Sequence, residues 1–311
     1  MKRTITSSPA RACYLPLSIL VGFFSTMMLF TACTSQEVQT VEEEGIPLTF
    51  ASASLSGVMT RSNLTSGNLG VFRLNSPKYS TTKSNIPYTC SGTWKPESEN
   101  NQIYLTDYTA NISVYYPYNA SSGSATAIPM TSGAPGTNDA NALWYTKTTG
   151  NNKTTPLILS LPQAYAKITF SITHAASYPG ACAITSIALT NSNLISTGTL
   201  DLTDTDGYPY TSTTSGAVSL NTSISSIASG ATNADATILM VPVESLSGAV
   251  TITFEMDSKT YTATMTAGTF TSLEAGKNYT IGITVTGTAL TIGTVSATNW
   301  AEGAGAVVNP V

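Results

Sequence analysis

The stretch AYAKITFSITH, Ala164–His174, sets the reading of the fold. Ala166, Ile168, Phe170, Ile172 and His174 take alternate positions, and Lys167, Thr169, Ser171 and Thr173 fill the places between. Side chains of an extended chain point to opposite faces in turn, so this spacing describes a strand with one apolar and one wet face. That is the habit of antiparallel sheets. The same period recurs on both sides. Ile112, Val114 and Tyr116 alternate in ANISVYYPY, Ile252, Phe254 and Met256 in TITFEM, and Tyr279, Ile281, Ile283 and Val285 in NYTIGITV. In CAITSIAL the phase changes between Ile184 and Ile187, which predicts a bulge. Helical periodicity is nearly absent. The expectation is an all-β chain of two antiparallel β-sandwich domains.

Composition agrees. The 311 residues include 52 Thr and 38 Ser, and only 10% are charged. Thr suits pleated, half-buried surfaces, and Ser, Gly and Asn suit turns. A surface of hydroxyls rather than Lys and Glu suggests an extracytoplasmic protein. The net charge of -4 offers no basic face to a phosphate backbone, so nucleic acid is not an expected partner.

The first residues read as a targeting segment. Lys2, Arg3 and Arg11 precede the apolar run Tyr14–Phe30, the order of an export signal. LFTAC, Leu29–Cys33, resembles the lipobox of bacterial lipoproteins, with Phe30 where Leu is preferred. That resemblance implies cleavage by signal peptidase II between Ala32 and Cys33, with lipid on the Cys33 thiol. Cys13 then leaves with the signal, and Cys90 and Cys182 remain. They are read as two separate cysteines or, in an oxidising envelope, one disulfide.

The organisation that follows is a signal peptide at 1–32 and a polar tether at 33–44. An N-terminal β-sandwich domain covers 45–162 and a C-terminal one 163–311. The tether ends in Glu42, Glu43 and Glu44, a solvated run. A first strand follows, with Ile46, Leu48 and Phe50 on one face. SLSGVMTRSNLTSG, Ser54–Gly67, then reads as a loop holding Arg61, the one basic residue between Cys33 and Phe72. Residues 120–156 read as long loops with short strands.

Little points to catalysis. The one histidine, His174, sits on the apolar side of its strand and reads as a packed residue. No GxSxG, HExxH or phosphate-cradling glycine loop occurs. DLTDTDGYP, Asp201–Pro209, has Asp-Gly hairpin chemistry but lacks the ligand spacing of a calcium loop. No cofactor or metal is expected, and an enzyme is not the expected class. Trp94, Trp144, Trp300 and the tyrosines of YYPY leave open a platform for glycans.

Taken in order, the motifs resemble a known family. The lipobox, a first strand ending in a loop with Thr60-Arg61, then Gly70-Val71-Phe72, YYPY, AYAKITFSI and the run Ala275–Trp300 are together similar to the fimbrillins of type V pili. The resemblance covers most of Ile46–Trp300. It implies two transthyretin-like, Greek-key sandwiches exported as an outer-membrane lipoprotein. It also implies a maturation cut by an arginine-specific protease, here between Arg61 and Ser62. Lipid and first strand (Ile46, Leu48, Phe50) would leave, and a strand from another pilin subunit would fill the groove, building a fimbrium at the cell surface. The tail AEGAGAVVNPV offers only small residues as such a strand, which leaves stalk and accessory roles open. The rival expectation is a surface lipoprotein that stays anchored through Cys33 and binds a host or bacterial glycan or acts as an adhesive tip subunit.

Overall fold

Alternating apolar and hydroxyl side chains become strands almost throughout the computed structural model, which describes residues 45–56, 62–74, 76–79, 81–134, 142–287 and 289–300. In chain order the first strands are β1 (Ile46–Pro47), β2 (Phe50–Ser56), β3 (Ser62–Asn63), β4 (Asn68–Arg73), β5 (Lys83–Ser91) and β6 (Thr93–Pro96). Next come β7 (Tyr104–Leu105), β8 (Ala110–Tyr116), β9 (Ile128–Thr131), β10 (Trp144–Gly150) and β11 (Leu157–Pro162). The later strands are β12 (Ala166–His174), β13 (Ile184–Leu200), β14 (Tyr210–Ile224), β15 (Thr232–Met240), β16 (Val250–Met256), β17 (Lys259–Met265), β18 (Lys277–Val285) and β19 (Leu290–Asn299). The helical content among the described residues is one 3-10 turn, Glu99–Asn101.

The earlier strands build an eight-stranded sheet in the order β10-β8-β4-β5-β6-β2-β11, with β3 alongside β2. Trp144 in β10 also bridges Gln163, just past β11, so the two ends of the order meet and the sheet curls round its own core. Phe50 packs on Tyr88 at 5.3 Å inside it, and Phe72 packs on Tyr115 at 6.1 Å on the opposite face of the sheet. Gly70 is glycine for a steric reason, since a Cβ there would come within 2.0 Å of the Tyr115 ring. β1 and β7 form a separate two-stranded ribbon.

The later strands form a four-stranded sheet, β15-β12-β18-β19, and a five-stranded sheet, β14-β13-β16-β17 with β9 on β13. Phe170 of β12 meets Phe254 of β16 edge to face at 6.2 Å, and both are buried, so the two sheets pack as a sandwich. The alternation of β12 is that of the sequence: Ala166, Ile168, Phe170, Ile172 and His174 are all buried. β13 shifts register between Ile184 and Ser186, the bulge that CAITSIAL predicts.

Among the described residues pairing is antiparallel except for two parallel pairs, β2 with β11 and β12 with β18. A second departure from expectation is β9. Residues 128–131 fall in the stretch read as long loops with short strands of the first half, and they pair with Thr197–Leu200 of β13. Ser132 secures the crossing. Its hydroxyl donates to the Ile195 carbonyl (2.6 Å) and accepts from the Val241 N–H (2.8 Å), so its donor and acceptor capacity are both used.

A sealed first strand and its seat

β2 is an interior strand with little backbone pairing toward β6. Toward β6 it makes one residue pair, Phe50 with Trp94. Toward β11 it runs parallel, from Phe50 opposite Leu157 to Ser56 opposite Pro162, and Ala51 is the extra residue where the register shifts. That bulge changes which side chains point inward. Leu48 and Phe50 are buried ahead of it, and Ala53 and Leu55 beyond it. Ser54 is buried too, with its hydroxyl donating to the Leu159 carbonyl (3.2 Å).

Before β2 the chain is gripped by side chains. The Leu48 carbonyl accepts from the Tyr88 hydroxyl (3.2 Å) and from Gln102 Nε2 (3.3 Å). Gln102 Nε2 also donates to the Ile103 carbonyl (2.9 Å), which in turn accepts from the Leu48 N–H (2.8 Å). Gln102 stands at the end of the 3-10 turn that Ser98 caps through Asn100 N (3.4 Å). On the other side Thr155 Oγ1 accepts from Thr49 N (3.2 Å), and the Thr49 carbonyl accepts from Leu157 N (3.0 Å). Tyr88 is fully buried, and burial pushes its hydroxyl well above the ordinary tyrosine range, so it stays protonated as a donor.

The residues singled out by sequence divide here. Leu48 and Phe50 are fully buried, as their alternation suggests. Ile46 does not share their face: it lies in the β1–β7 ribbon opposite Leu105 and is 47% exposed. The seat-filling residues that alternation alone missed are Ala53 and Leu55, hidden by the bulge at Ala51. Ala32, Cys33 and Arg61 lie outside the described residues. The backbone of Ser62 opens β3 and pairs with Leu55, so the chain returns onto β2 directly after the Arg61 loop. Arg73, the next arginine, is 6% exposed in β4. Its guanidinium donates to the Tyr104 (2.7 Å) and Thr81 (2.8 Å) carbonyls and stacks 4.5 Å from the Tyr79 ring centroid.

Other polar groups are used internally. His174 is buried, with Nδ1 2.6 Å from the Ile227 carbonyl and Nε2 3.0 Å from the Tyr178 carbonyl. Two acceptors call for two ring protons, and these bonds raise its pKa. The Tyr178 hydroxyl donates to Asp257, which also accepts from Cys182 N and Ala183 N. Burial pushes the Asp257 carboxyl up, but these bonds outweigh it and hold the pKa below the ordinary value. Cys90 and Cys182 are separate free thiols, and burial pushes Cys182 up to about 11. Asp201–Pro209 joins the β13–β14 hairpin, where Gly207 N donates to Asp204. Among the described residues no cluster of His, Cys, Asp and Glu could hold a metal ion. Trp94, Trp144, Trp300, Tyr115 and Tyr116 are all core residues rather than a platform. Half-buried Tyr118 lines a cavity of about 760 Å³ beside Tyr165 and Asn119.

A curled sheet and a sandwich with a sealed first strand define an all-β, sandwich-type protein. Solved structures share the fold. A candidate cell-adhesion protein from Bacteroides ovatus superposes with a TM-score of 0.62 at 20% identity, covering 82% of this chain and 98% of its own. Another from Bacteroides uniformis gives 0.56 at 17% identity, covering 80% and 98%. No curated protein matches the chain in sequence. The chain belongs to the fimbrillin-like family, whose model matches residues 58–300. It is accordingly a structural subunit of cell-surface fimbriae that assembles with other pilin subunits.

Proposed function

We propose that the subunit is exported as an outer-membrane lipoprotein, matured by removal of its first strand and polymerised by strand replacement, without catalysis of its own. Signal peptidase II cuts between Ala32 and Cys33, and lipid on Cys33 holds the precursor. An arginine-specific protease then cuts between Arg61 and Ser62 and releases residues 33–61. The observation that carries this reading is β2 itself, buried yet joined to β6 through one residue pair. The other arginine downstream of the signal, Arg73, is sequestered in β4, which supports a single site of attack in the folded chain. The family match begins at residue 58, beyond β2 and just before Arg61.

Loss of the released segment, Leu48 and β2 included, removes Leu48, Phe50 and Leu55 from the core, at about 1.5–3 kcal/mol each. The total approaches the ordinary stability of a domain, about 5–15 kcal/mol. It also exposes the backbone edge of β11. A strand from another subunit restores both, which makes the vacancy a polymerisation bond. Digestion of the full chain in detergent with an arginine-specific protease, followed by intact mass and non-boiled denaturing gels, tests this. Downstream of the leading segment, a cut after Arg61 but none after Arg73, together with heat-labile oligomers, is expected. An uncut Arg61, or cut chains that stay monomeric at high concentration, would overturn the reading.

A further inference from the structure

We propose that Tyr88, Gln102 and Thr155 form a register lock that dictates which residue pattern a strand must carry to occupy the β2 seat. The inference rests on the strand-replacement reading for its partner, a strand from another subunit, but the lock itself is a property of the intact chain. Around Leu48 and Thr49 the peptide groups are met by side chains fixed in place. The Tyr88 hydroxyl and Gln102 amide converge on one carbonyl, the Ile103 carbonyl takes the N–H of the same residue, and Thr155 Oγ1 takes the next N–H. A sheet ladder repeats and tolerates slippage, whereas a site built for one carbonyl and two N–H groups does not. Tyr88 has no access to water that could replace a missing acceptor, so a slipped strand leaves a buried donor unpaired.

The lock also sets the phase of the side chains. With the locked residue at Leu48, apolar seats follow at Phe50, Ala53 and Leu55, two, five and seven positions on. The step from two to five follows from the bulge at Ala51. A uniformly alternating strand, apolar at every second position, would fill the first two seats and then turn its polar residues into the others. The strand that fits therefore carries a non-proline apolar residue at the lock, a non-proline residue after it, an aromatic or large aliphatic two positions on, a small residue at five and a large aliphatic at seven. This pattern excludes most amphipathic strands of the period-two kind that fills the rest of the chain.

Two measurements test it. In the full chain in detergent, hydrogen exchange of residues 46–56 is compared among Tyr88→Phe, Gln102→Leu and, as a distant loss of a buried hydroxyl, Tyr165→Phe. Tyr88→Phe and Gln102→Leu are expected to speed exchange at Leu48 and Thr49 about tenfold, as loss of one net hydrogen bond allows, and Tyr165→Phe to leave them unchanged. Unchanged exchange in both lock variants, or an equal rise across the chain, overturns the lock. In the second, chain cut after Arg61 is offered a labelled peptide of residues 46–56 and its Leu48→Val and Leu48→Pro forms. Val is expected to be captured within about threefold of the parent, and Pro, lacking the N–H, at least about tenfold less. Equal capture of the Pro peptide overturns the lock. If the cut chain captures none of the three while the exchange result holds, the lock stands and strand replacement fails.

Discussion

β12 and β2 each carry a row of fully buried apolar side chains, but β12 is paired along nearly its whole length on both sides, while β2 meets one of its neighbours through a single residue. β12 is held by ladders of N–H and C=O groups, antiparallel to β15 and parallel to β18. β2 is held by pockets for Leu48, Phe50, Ala53 and Leu55, by side-chain bonds at Leu48 and Thr49, by the parallel ladder to β11 and by two residue pairs with β3. Equal burial therefore does not mean equal permanence. Withdrawing β12 dismantles a sheet, whereas withdrawing β2 empties a groove whose β6 wall hardly depends on it.

The contrast can be broken most directly at the largest side chains. Phe170→Ala in β12 is expected to cost about 4 kcal/mol and to lower the stability of the whole described unit in denaturant unfolding. Phe50→Ala in β2 removes a ring of the same size at about 3 kcal/mol, but its first sign should be local: faster hydrogen exchange in residues 46–56, with β4 and β5 protected as before. Loosening that spreads evenly through both halves would erase the distinction.

Proton linkage sharpens it, because the shifted His174 closes β12. The His174 pKa is raised by bonds to the Ile227 and Tyr178 carbonyls. Its stabilisation is therefore complete below the unfolded value of about 6.5 and lost as pH rises through the folded value. Asp257 has the opposite sign, with its stabilisation present above the ordinary carboxylate value and lost as pH falls through the lowered one. Thermal stability is expected to fall from pH 6 to pH 9, and His174→Gln to flatten that slope. A slope that persists in His174→Gln would show that another group carries it. The smallest effect is expected at the rim. Ile46→Ser and Ile158→Ser alter residues that are 47% and 77% exposed and should change stability by no more than about 0.5 kcal/mol in the same unfolding experiment.

Sequence legibility follows the same division. β12, β16 and β18 could be read because a full ladder keeps side chains in strict alternation, and even the bulge in β13 shows as a phase change between two isoleucines. β2 could be read only up to Phe50. Past the Ala51 bulge its inward residues are Ala53 and Leu55 among serines, a composition that looks like a loop. Ile46 has the right phase for the first seat but was drawn off into the ribbon with β7. β9 was hidden because its partner in β13 lies far along the chain and Ile128 and Met130 are its only apolar pair. Tyr88 and Gln102 carried no sequence signal, since their role exists only where the Leu48 carbonyl arrives.

The displaced strand β9 has a mechanical consequence. The chain leaves the curled sheet to lay β9 on β13, returns to form β10, and departs again after β11 for β12. Three covalent passages therefore span the junction, where a simple tandem of sandwiches would have one. A single linker is a swivel, whereas repeated crossings, with β9 laid on β13 and Ser132 bonded to both Ile195 and Val241, oppose bending and twisting together. In a fibre under tension such a subunit transmits the pull as a stiff rod, and the compliance of the fibre is displaced to the joints between subunits.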